Sequence, residues 1–385
     1  MNYIKAFFQS ESAGGISLLS AAILGVLVAN SPIADQYFAT MHIHLGPMTI
    51  LEWVNDAFMA LFFLYVGLEI KKEMISGELD TNSKRVLPVL AAFAGVITPA
   101  IVYYFVAGYI PEFRQGWGIP TATDIAFAIG VITMLGNMVS SAMKAFLAAL
   151  AVIDDLIAIV VIALFYGSGV NFMDLIAAAV VTGLLVYTNK QGYLRPLPYC
   201  VLGLVLWYFV LKSGVHATIA GVVLAMTIPF KGKVLDTVVY PMEEWAHALK
   251  NWVNFLIIPL FSFLNAGVSF ADFSMENLFH PVILGVSLGL ILGKQLGIFS
   301  AVYILVQSKA IKMPSNTTWP EIYGTAILCG IGFTMSLFVA TLAFPPGITQ
   351  EMAKVGIFIG SIVAGLLGAV VLILAYQIRK VRGKI

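Results

Sequence analysis

Residues 141–166 read SAMKAFLAALAVIDDLIAIVVIALFY. Lys144 lies near the start of this stretch, and its other charges are two adjacent carboxylates at its centre, Asp154 and Asp155. The stretch is long enough to cross a bilayer as a helix, for which about 20 apolar residues suffice. An apolar helix with acidic residues at its middle is typical of a membrane protein that handles charge inside the bilayer.

The composition of the whole chain also indicates a membrane protein. Of its 385 residues, 60% are hydrophobic and 11% are charged, less than half the charged share of ordinary soluble domains, ~25%. The net charge of +1 indicates no face that binds nucleic acid. Long apolar runs differ from the alternating strands of outer-membrane barrels. Cys200 and Cys329 lie in apolar runs, so we expect no disulfide framework, zinc site or cofactor.

Apolar runs between turn signals predict an all-α polytopic membrane protein, with twelve transmembrane helices in one domain over residues 1–385. The predicted spans are 13–30, 51–76, 86–108, 118–135, 141–166, 172–189, 194–211, 213–228, 241–266, 281–303, 320–342 and 350–378. Most of the 21 lysines and arginines then share a side with the N-terminus, whereas Arg114, Lys212 and Lys354 lie on the other. Positive residues favour the cytoplasmic side, so both termini are predicted to be cytoplasmic.

Two of these spans are interrupted. Span 4 contains a segment with Gly118 and Pro120 at 118–124, and span 11 contains one with Gly330 and Gly332 at 329–334. Paired interruptions in inverted halves mark transporter sites near the bilayer midplane. We therefore expect inverted repeats in spans 3–5 and 10–12, with two broken, crossing helices. An ion-binding core would comprise about 86–166 and 281–378, and the remaining spans would form an interface part.

Five charged residues lie inside predicted spans: Asp56, Asp124, Asp154, Asp155 and Lys294. Each would cost about 2.5–3.5 kcal/mol if left unpaired at mid-bilayer, so these groups must be paired, neutralised or hydrated. Neighbouring helical residues point about 100° apart. One of the adjacent carboxylates can therefore face a cavity and bind a cation, while the other pairs with Lys294. Carboxylates are hard oxygen ligands and suit hard cations.

The interruptions add to this prediction. Half-helix N-termini carry partial positive charge and C-termini partial negative charge, so Asp124 can offset the former and Lys294 the latter. Thr123 can add an oxygen ligand. A site that holds either a cation or protons exchanges them by competition. The alternative, an intramembrane aspartyl protease, needs two carboxylates that face each other. Adjacent residues on one helix diverge, whereas Asp124 and Asp154 could in principle converge. Broken helices and a buried lysine favour alternating access over a channel. The scarcity of other polar clusters in the spans argues against a large organic substrate.

Eight motifs resemble those of the bacterial NhaA-type sodium/proton antiporter family. In chain order they are WVNDA at 53–57, VGLEIKKE at 66–73, ATDIAFA at 122–128, IDDL at 153–156, KSGVHAT at 212–218, FLNAGV at 263–268, GKQLG at 293–297 and CGIGFTMS at 329–336. The resemblance covers nearly the whole chain. It implies electrogenic exchange of two protons for one Na⁺ or Li⁺, activated at alkaline pH, in the bacterial inner membrane.

The resemblance also implies roles for individual residues. Asp155 would be the main cation ligand, Asp154 would pair with Lys294, and Thr123 and Asp124 would lie in the unwound segment beside the ion. Accessory or pH-responsive residues would be Asp56, Glu69, Lys72, Glu73 and His247. The chain departs from the family pattern before His247, where Glu243 and Glu244 have an altered spacing.

A short segment between spans 1 and 2 is predicted to lie outside the membrane. Residues 42–50 alternate around Gly46–Pro47 and are too few to span a bilayer, which favours a small hairpin within about 41–50. The resemblance implies that this hairpin joins two copies into a homodimer. Expected partners are therefore a second copy, membrane lipids and the ions Na⁺, Li⁺ and H⁺.

Overall fold

The computed structural model describes residues 11–77, 82–167, 169–234, 237–270, 274–314 and 317–381. These residues are mostly helical. The first elements in chain order are α1 (Glu11–Ala29), α2 (Ala34–Met41), β1 (His44–Leu45), β2 (Met48–Thr49), α3 (Ile50–Ser76) and α4 (Asn82–Tyr103). The helix α2 turns away from α1 by 115°.

The predicted hairpin is confirmed. Strands β1 and β2 pair antiparallel, with Leu45 opposite Met48. Gly46 at the turn has φ = +72°, a left-handed conformation that glycine adopts without a steric penalty. The next helix begins at a capping box, in which Thr49 N donates to Glu52 Oε2 over 2.7 Å and Glu52 N donates to Thr49 Oγ1 over 3.2 Å.

The middle of the chain continues the bundle and adds a second hairpin that the sequence did not predict. Its elements are a 3₁₀ helix (Pro111–Thr121), α5 (Ile125–Met134), α6 (Ser141–Phe165), α7 (Phe172–Lys190), α8 (Pro196–Lys212), α9 (Ile219–Thr227), β3 (Gly232–Val234) and β4 (Thr237–Val239). Strand β3 pairs antiparallel with β4.

The last part of the chain is again helical. It contains α10 (Pro241–Trp252), a π-helical turn (Val253–Ile257), α11 (Ile258–Asn265), α12 (Pro281–Gln307), α13 (Trp319–Leu328), α14 (Phe333–Ala343) and α15 (Ile348–Val381). A π-helical turn at Gly289–Gly293 interrupts α12 immediately before Lys294.

The helices identify a multi-pass membrane protein. In the described part of the chain, six helices are long and apolar enough to cross a membrane, or up to nine if each of three bent pairs is one span. The shorter apolar helix α8 lies in a further predicted span. The predicted span 213–228 contains only the nine-residue α9, and the first half of 241–266 is the charged helix α10. The count of twelve therefore remains a prediction.

Both predicted interruptions are present. The 3₁₀ helix and α5 meet at 43° across residues 122–124, and α13 and α14 meet at 43° across 329–332. The first broken span begins earlier than the sequence predicts. Residues 111–117, which precede the predicted start, form the first part of the 3₁₀ helix.

Helix α12 has glycines at every fourth position: Gly285, Gly289, Gly293 and Gly297. Gly293 and Gly297 pack directly on the backbone of α4, and Gly289 packs on Pro120 of the 3₁₀ helix. A Cβ atom at Gly293 would lie 2.5 Å from Pro99 Cα, and one at Gly297 would collide with the Ala94 carbonyl oxygen. These are backbone atoms that cannot give way easily. The glycines therefore allow two helix backbones to touch beside Lys294.

Candidate cation-binding site

A cavity of about 600 Å³ leads from the helix breaks to the protein surface. At its inner end lie Asp124, Asp155 and Thr334. At the other end lie the exposed residues His247 and Lys250, on the side predicted to be cytoplasmic. The cavity therefore connects intramembrane carboxylates with that side of the membrane.

Asp155 is the acidic residue of α6 that faces this cavity. Its side chain is 2% exposed. Among the residues that the structure describes, no hydrogen-bond partner reaches its buried Oδ1 atom. A buried polar atom without a partner carries a desolvation cost, and a cation or a proton at this position would relieve it.

Asp154, the preceding residue, has the opposite environment. Lys294 Nζ donates to both of its carboxylate oxygens, over 2.9 Å and 2.8 Å. The two side chains are 1% and 0% exposed, and neither lines the cavity. The structure confirms that Asp154 pairs with Lys294. It also confirms that the two adjacent carboxylates face different surroundings.

Asp124 joins the N-termini of the two half-helices that follow the breaks. Its Oδ1 accepts from Phe127 N in α5 over 2.9 Å, and its Oδ2 accepts from Thr334 N in α14 over 3.0 Å. The Thr334 hydroxyl also donates to Oδ2. A negative charge here stabilises two positive helix ends at once, which agrees with the predicted compensation of the half-helix dipoles.

Thr123 lies at the point where the two unwound segments touch. Its hydroxyl donates to the Cys329 carbonyl oxygen over 2.8 Å, and Asp124 N donates to the Ile331 carbonyl oxygen over 2.6 Å. The Thr123 side chain is fully buried and is not among the described residues that line the cavity. In this conformation, its hydroxyl therefore fastens one break to the other.

A second buried ion pair was missed by the sequence reasoning. Arg379 Nη1 in α15 lies 2.7 Å from Glu321 Oε1 in α13, and Glu321 is fully buried. The same oxygen accepts from Ser140 N, the N-cap of α6, over 3.4 Å. Thr318 and Glu321 form a capping box at the start of α13, and their spacing is a signal that was available in the sequence.

Lys354 is more buried than the sequence indicates. The charge pattern predicts an outside position near the start of a span, and in the structure this lysine is 92% buried within α15. Its Nζ lies 3.4 Å from the Gly267 carbonyl oxygen. The long α15 begins at Ile348, so this lysine is nearly two turns inside the helix.

Comparison with known proteins places the chain in a family. The family model described as Na⁺/H⁺ antiporter 1 matches residues 5–372. A Na⁺/H⁺ antiporter NhaA from Caulobacter vibrioides is 46% identical over 97% of this chain and 91% of its own length. One from Mesorhizobium japonicum is 48% identical over 97% and 95%. The chain belongs to the NhaA family of Na⁺/H⁺ antiporters.

The NhaA-type fold resembles that of a more distant solved structure. A sodium proton antiporter from Methanocaldococcus jannaschii matches 94% of this chain and 91% of its own, with a TM-score of 0.59 and 15% identity. At this low identity the match concerns the fold alone. Two such distant sequences therefore share one helical architecture.

The accessory residues that the NhaA resemblance implied fall into two groups. Glu69, Glu73 and His247 line the cavity. Asp56 and Lys72 are not among its described lining residues. Asp56 is half-buried, and its main-chain carbonyl accepts from Trp207 Nε1 over 3.3 Å.

Proposed function

We propose that this protein is an electrogenic antiporter that exchanges cytoplasmic Na⁺ or Li⁺ for external protons. The observation that carries the proposal is the contrast between two adjacent carboxylates in α6. Lys294 compensates Asp154 on both oxygens, whereas Asp155 lines a cavity and has a buried Oδ1 atom without a partner among the described residues. One negative charge is thus fixed in place and the other is available to a cation.

Exchange follows from competition at Asp155. A desolvated Na⁺ needs a negative oxygen ligand, and a proton on the same carboxylate removes that charge. Loaded with either ion, the site passes to the other side of the membrane by alternating access. Because Na⁺ and protons exclude each other at Asp155, one ion must leave before the other enters.

The proposed stoichiometry is two protons per Na⁺. Asp155 is one proton carrier, and either Asp154 or Lys294 is the second, since their ion pair can break when one partner changes its protonation. Each cycle then moves one net positive charge inward. A membrane potential of 100 mV, negative inside, adds about 2.3 kcal/mol to Na⁺ extrusion per cycle.

The proposed cellular setting completes this function. The protein would lie in the bacterial inner membrane with twelve spans, inverted repeats and both termini in the cytoplasm, and would serve Na⁺ and pH homeostasis. Activation at alkaline pH would involve the cavity-lining residues Glu69, Glu73 and His247. A homodimer would form through the hairpin at 42–50.

The geometry gives no support to an aspartyl protease. Such an enzyme requires two carboxylates that share a proton. Asp154 is held by Lys294 instead, and Asp124 accepts hydrogen bonds at two half-helix N-termini. Asp124 and Asp154 therefore do not form the proton-sharing pair on which that chemistry depends.

Flux measurements in proteoliposomes test the proposal. A Na⁺ gradient directed out of the lumen should acidify the lumen, because protons enter as Na⁺ leaves, and the opposite gradient should alkalinise it. A negative potential on the cytoplasmic face should speed Na⁺ extrusion without a pH gradient. The potential is clamped with K⁺ and valinomycin, and empty liposomes are the control. Na⁺ flux that is independent of protons would refute antiport, and exchange that is indifferent to potential would refute the two-proton stoichiometry.

A further inference from the structure

Two threonines lie at the two helix breaks, and their hydroxyls face different surroundings. Thr123 is fully buried, and its hydroxyl donates to the Cys329 carbonyl oxygen over 2.8 Å. Thr334 lines the cavity together with Asp124 and Asp155. The sequence suggested Thr123 as an oxygen ligand, but Thr334 is the threonine that the structure exposes to the cavity.

Asp124 has little capacity left for a cation, although it lines the same cavity. Both of its carboxylate oxygens accept main-chain hydrogen bonds from the half-helices, from Phe127 N and from Thr334 N. The Thr334 hydroxyl donates to one of these oxygens as well. A cation that drew Asp124 away would release two helix N-termini, so Asp124 is better suited to holding the breaks together.

The Thr334 hydroxyl, in contrast, retains free acceptor capacity. A hydroxyl has one proton and two lone pairs, and the Thr334 proton is directed to Asp124. No donor within the described part of the chain reaches Thr334 Oγ1. Donation to a carboxylate also polarises the hydroxyl and makes its oxygen a better acceptor.

A second, independent observation points to a ligand at this place. Asp155, which lines the same cavity, is 98% buried and has an Oδ1 atom without a described partner. A hard cation prefers several oxygen ligands around one negative charge. The cavity therefore offers Na⁺ a carboxylate from α6 and a neutral hydroxyl from the first turn of α14.

We propose that Thr334 is a ligand of the transported cation beside Asp155, and that Asp124 orients its hydroxyl. This inference rests on the proposed antiport function. The break between α13 and α14 then has a direct role in binding, because the Thr334 hydroxyl belongs to α14, the half-helix that begins at this break. Thr123 holds the two breaks together.

The first experiment compares isosteric variants in proteoliposomes. Thr334→Val removes the hydroxyl and should raise the half-saturating Na⁺ concentration about tenfold, as expected for the loss of a polar ligand, with little change in the maximal rate. Thr334→Ser keeps the hydroxyl and should restore most of the affinity. Thr123→Val should have a smaller effect on affinity than Thr334→Val.

Ser336→Ala is the matched control in the same helix. The Ser336 hydroxyl is fully buried, donates to the Ile119 carbonyl oxygen over 2.7 Å, and does not line the cavity within the described residues. Its removal should leave the half-saturating Na⁺ concentration unchanged. An equal loss of affinity in Ser336→Ala and Thr334→Val would show a general effect on α14 and overturn the ligand role.

A second experiment separates a ligand from a residue that only positions Asp124. Purified Asp124→Asn protein is compared with Asp124→Asn/Thr334→Val by the rise in unfolding temperature that Na⁺ produces. A ligand role predicts a weaker Na⁺ response in the double variant. A Na⁺ response of the same non-zero size in both proteins would overturn that role.

The outcomes also separate this inference from the proposed function. Wild-type protein without Na⁺-driven proton flux would contradict antiport itself. Wild-type flux together with unchanged Na⁺ affinity in Thr334→Val would overturn only the role of Thr334. Size-exclusion profiles in detergent confirm that each variant is folded before it is tested.

Discussion

Asp154 and Asp155 are neighbours in the chain but lie in opposite environments. Asp154 accepts two hydrogen bonds from a fully buried lysine and does not line the cavity. Asp155 lines the cavity and has a buried Oδ1 atom without a partner among the described residues. The difference arises because consecutive helical side chains point about 100° apart. One turn of helix thus supplies both a compensated charge and a charge available for binding.

The largest expected effect comes from removing the available charge. Asp155→Asn keeps the size of the side chain but removes the charge that offsets a desolvated Na⁺, so Na⁺-driven proton flux should fall to background. The variant should still insert and elute as wild type does, because Asp155 makes no described hydrogen bond that holds the fold. Near-normal flux in Asp155→Asn would show that the charge of Asp155 is not required for exchange.

The compensated charge should matter for stability. Removing either partner of a buried ion pair typically costs about 3–5 kcal/mol, so Asp154→Asn and Lys294→Ala should each lower the unfolding temperature in detergent. The double variant should lose less than the sum of the two, since neither charge is then left alone. Strictly additive losses would show that the pair is not coupled.

The same double variant sharpens the stoichiometry. Without Asp154 and Lys294 as titratable groups, only Asp155 remains as a proton carrier. Any exchange that survives should then be one-for-one and insensitive to membrane potential, as measured by transport currents on a solid-supported membrane. Currents that still increase with potential would assign the second proton to another group.

Asp124 should give an intermediate effect, because it caps two helices. Loss of one side-chain cap costs about 0.5–2 kcal/mol, so Asp124→Ala should lower the unfolding temperature by more than Ser140→Ala, which removes the single cap at Met143 N. The half-saturating Na⁺ concentration should also rise, since the breaks position the cavity wall. Equal stability of the two variants would contradict the double cap.

The smallest effect is expected at the end of the cavity that lies toward the predicted cytoplasmic side. Glu69 lines the cavity and Lys72, one turn away, does not. Glu69→Gln should raise the half-saturating Na⁺ concentration about two- to threefold at low salt and less at high salt, because screening weakens the attraction. Lys72→Gln is the control and should change it less. A larger effect in Lys72→Gln would mean that the cavity wall is wrongly assigned.

The pairing of Asp154 with Lys294 and the separate position of Asp155 were predictable from the sequence, because the bilayer leaves buried charges few alternatives. A lysine and several aspartates inside apolar spans must find partners, and adjacency on one helix separated Asp154 from Asp155. The hairpin at 42–50 and both helix breaks were also predictable, since Pro interrupts a helix and Gly permits backbone conformations that other residues avoid. These conclusions depend on local sequence and on the cost of burying charge.

Contacts between distant segments were harder to predict. Which break-site hydroxyl faces the cavity depends on how two unwound segments cross, and nothing near Thr123 or Thr334 in the sequence states this. Glu321 and Arg379 are separated by 58 positions, so their pairing requires the packing of α13 on α15. The sequence does not reveal the 3₁₀ start of the first broken span, because Glu112, Arg114 and Gln115 make residues 111–117 resemble a loop.

The glycines of α12 have a consequence for the tolerance of the chain to mutation. A Cβ atom would collide with the Pro120 side chain at Gly289, with Pro99 at Gly293 and with the Ala94 carbonyl oxygen at Gly297, so even alanine would force α12 away from the segments on which it packs. A saturation library selected for growth in high salt should therefore show depletion with a period of four along this helix, at positions that touch no ion. Such a pattern would resemble a row of binding residues, although its origin is the closeness of two backbones.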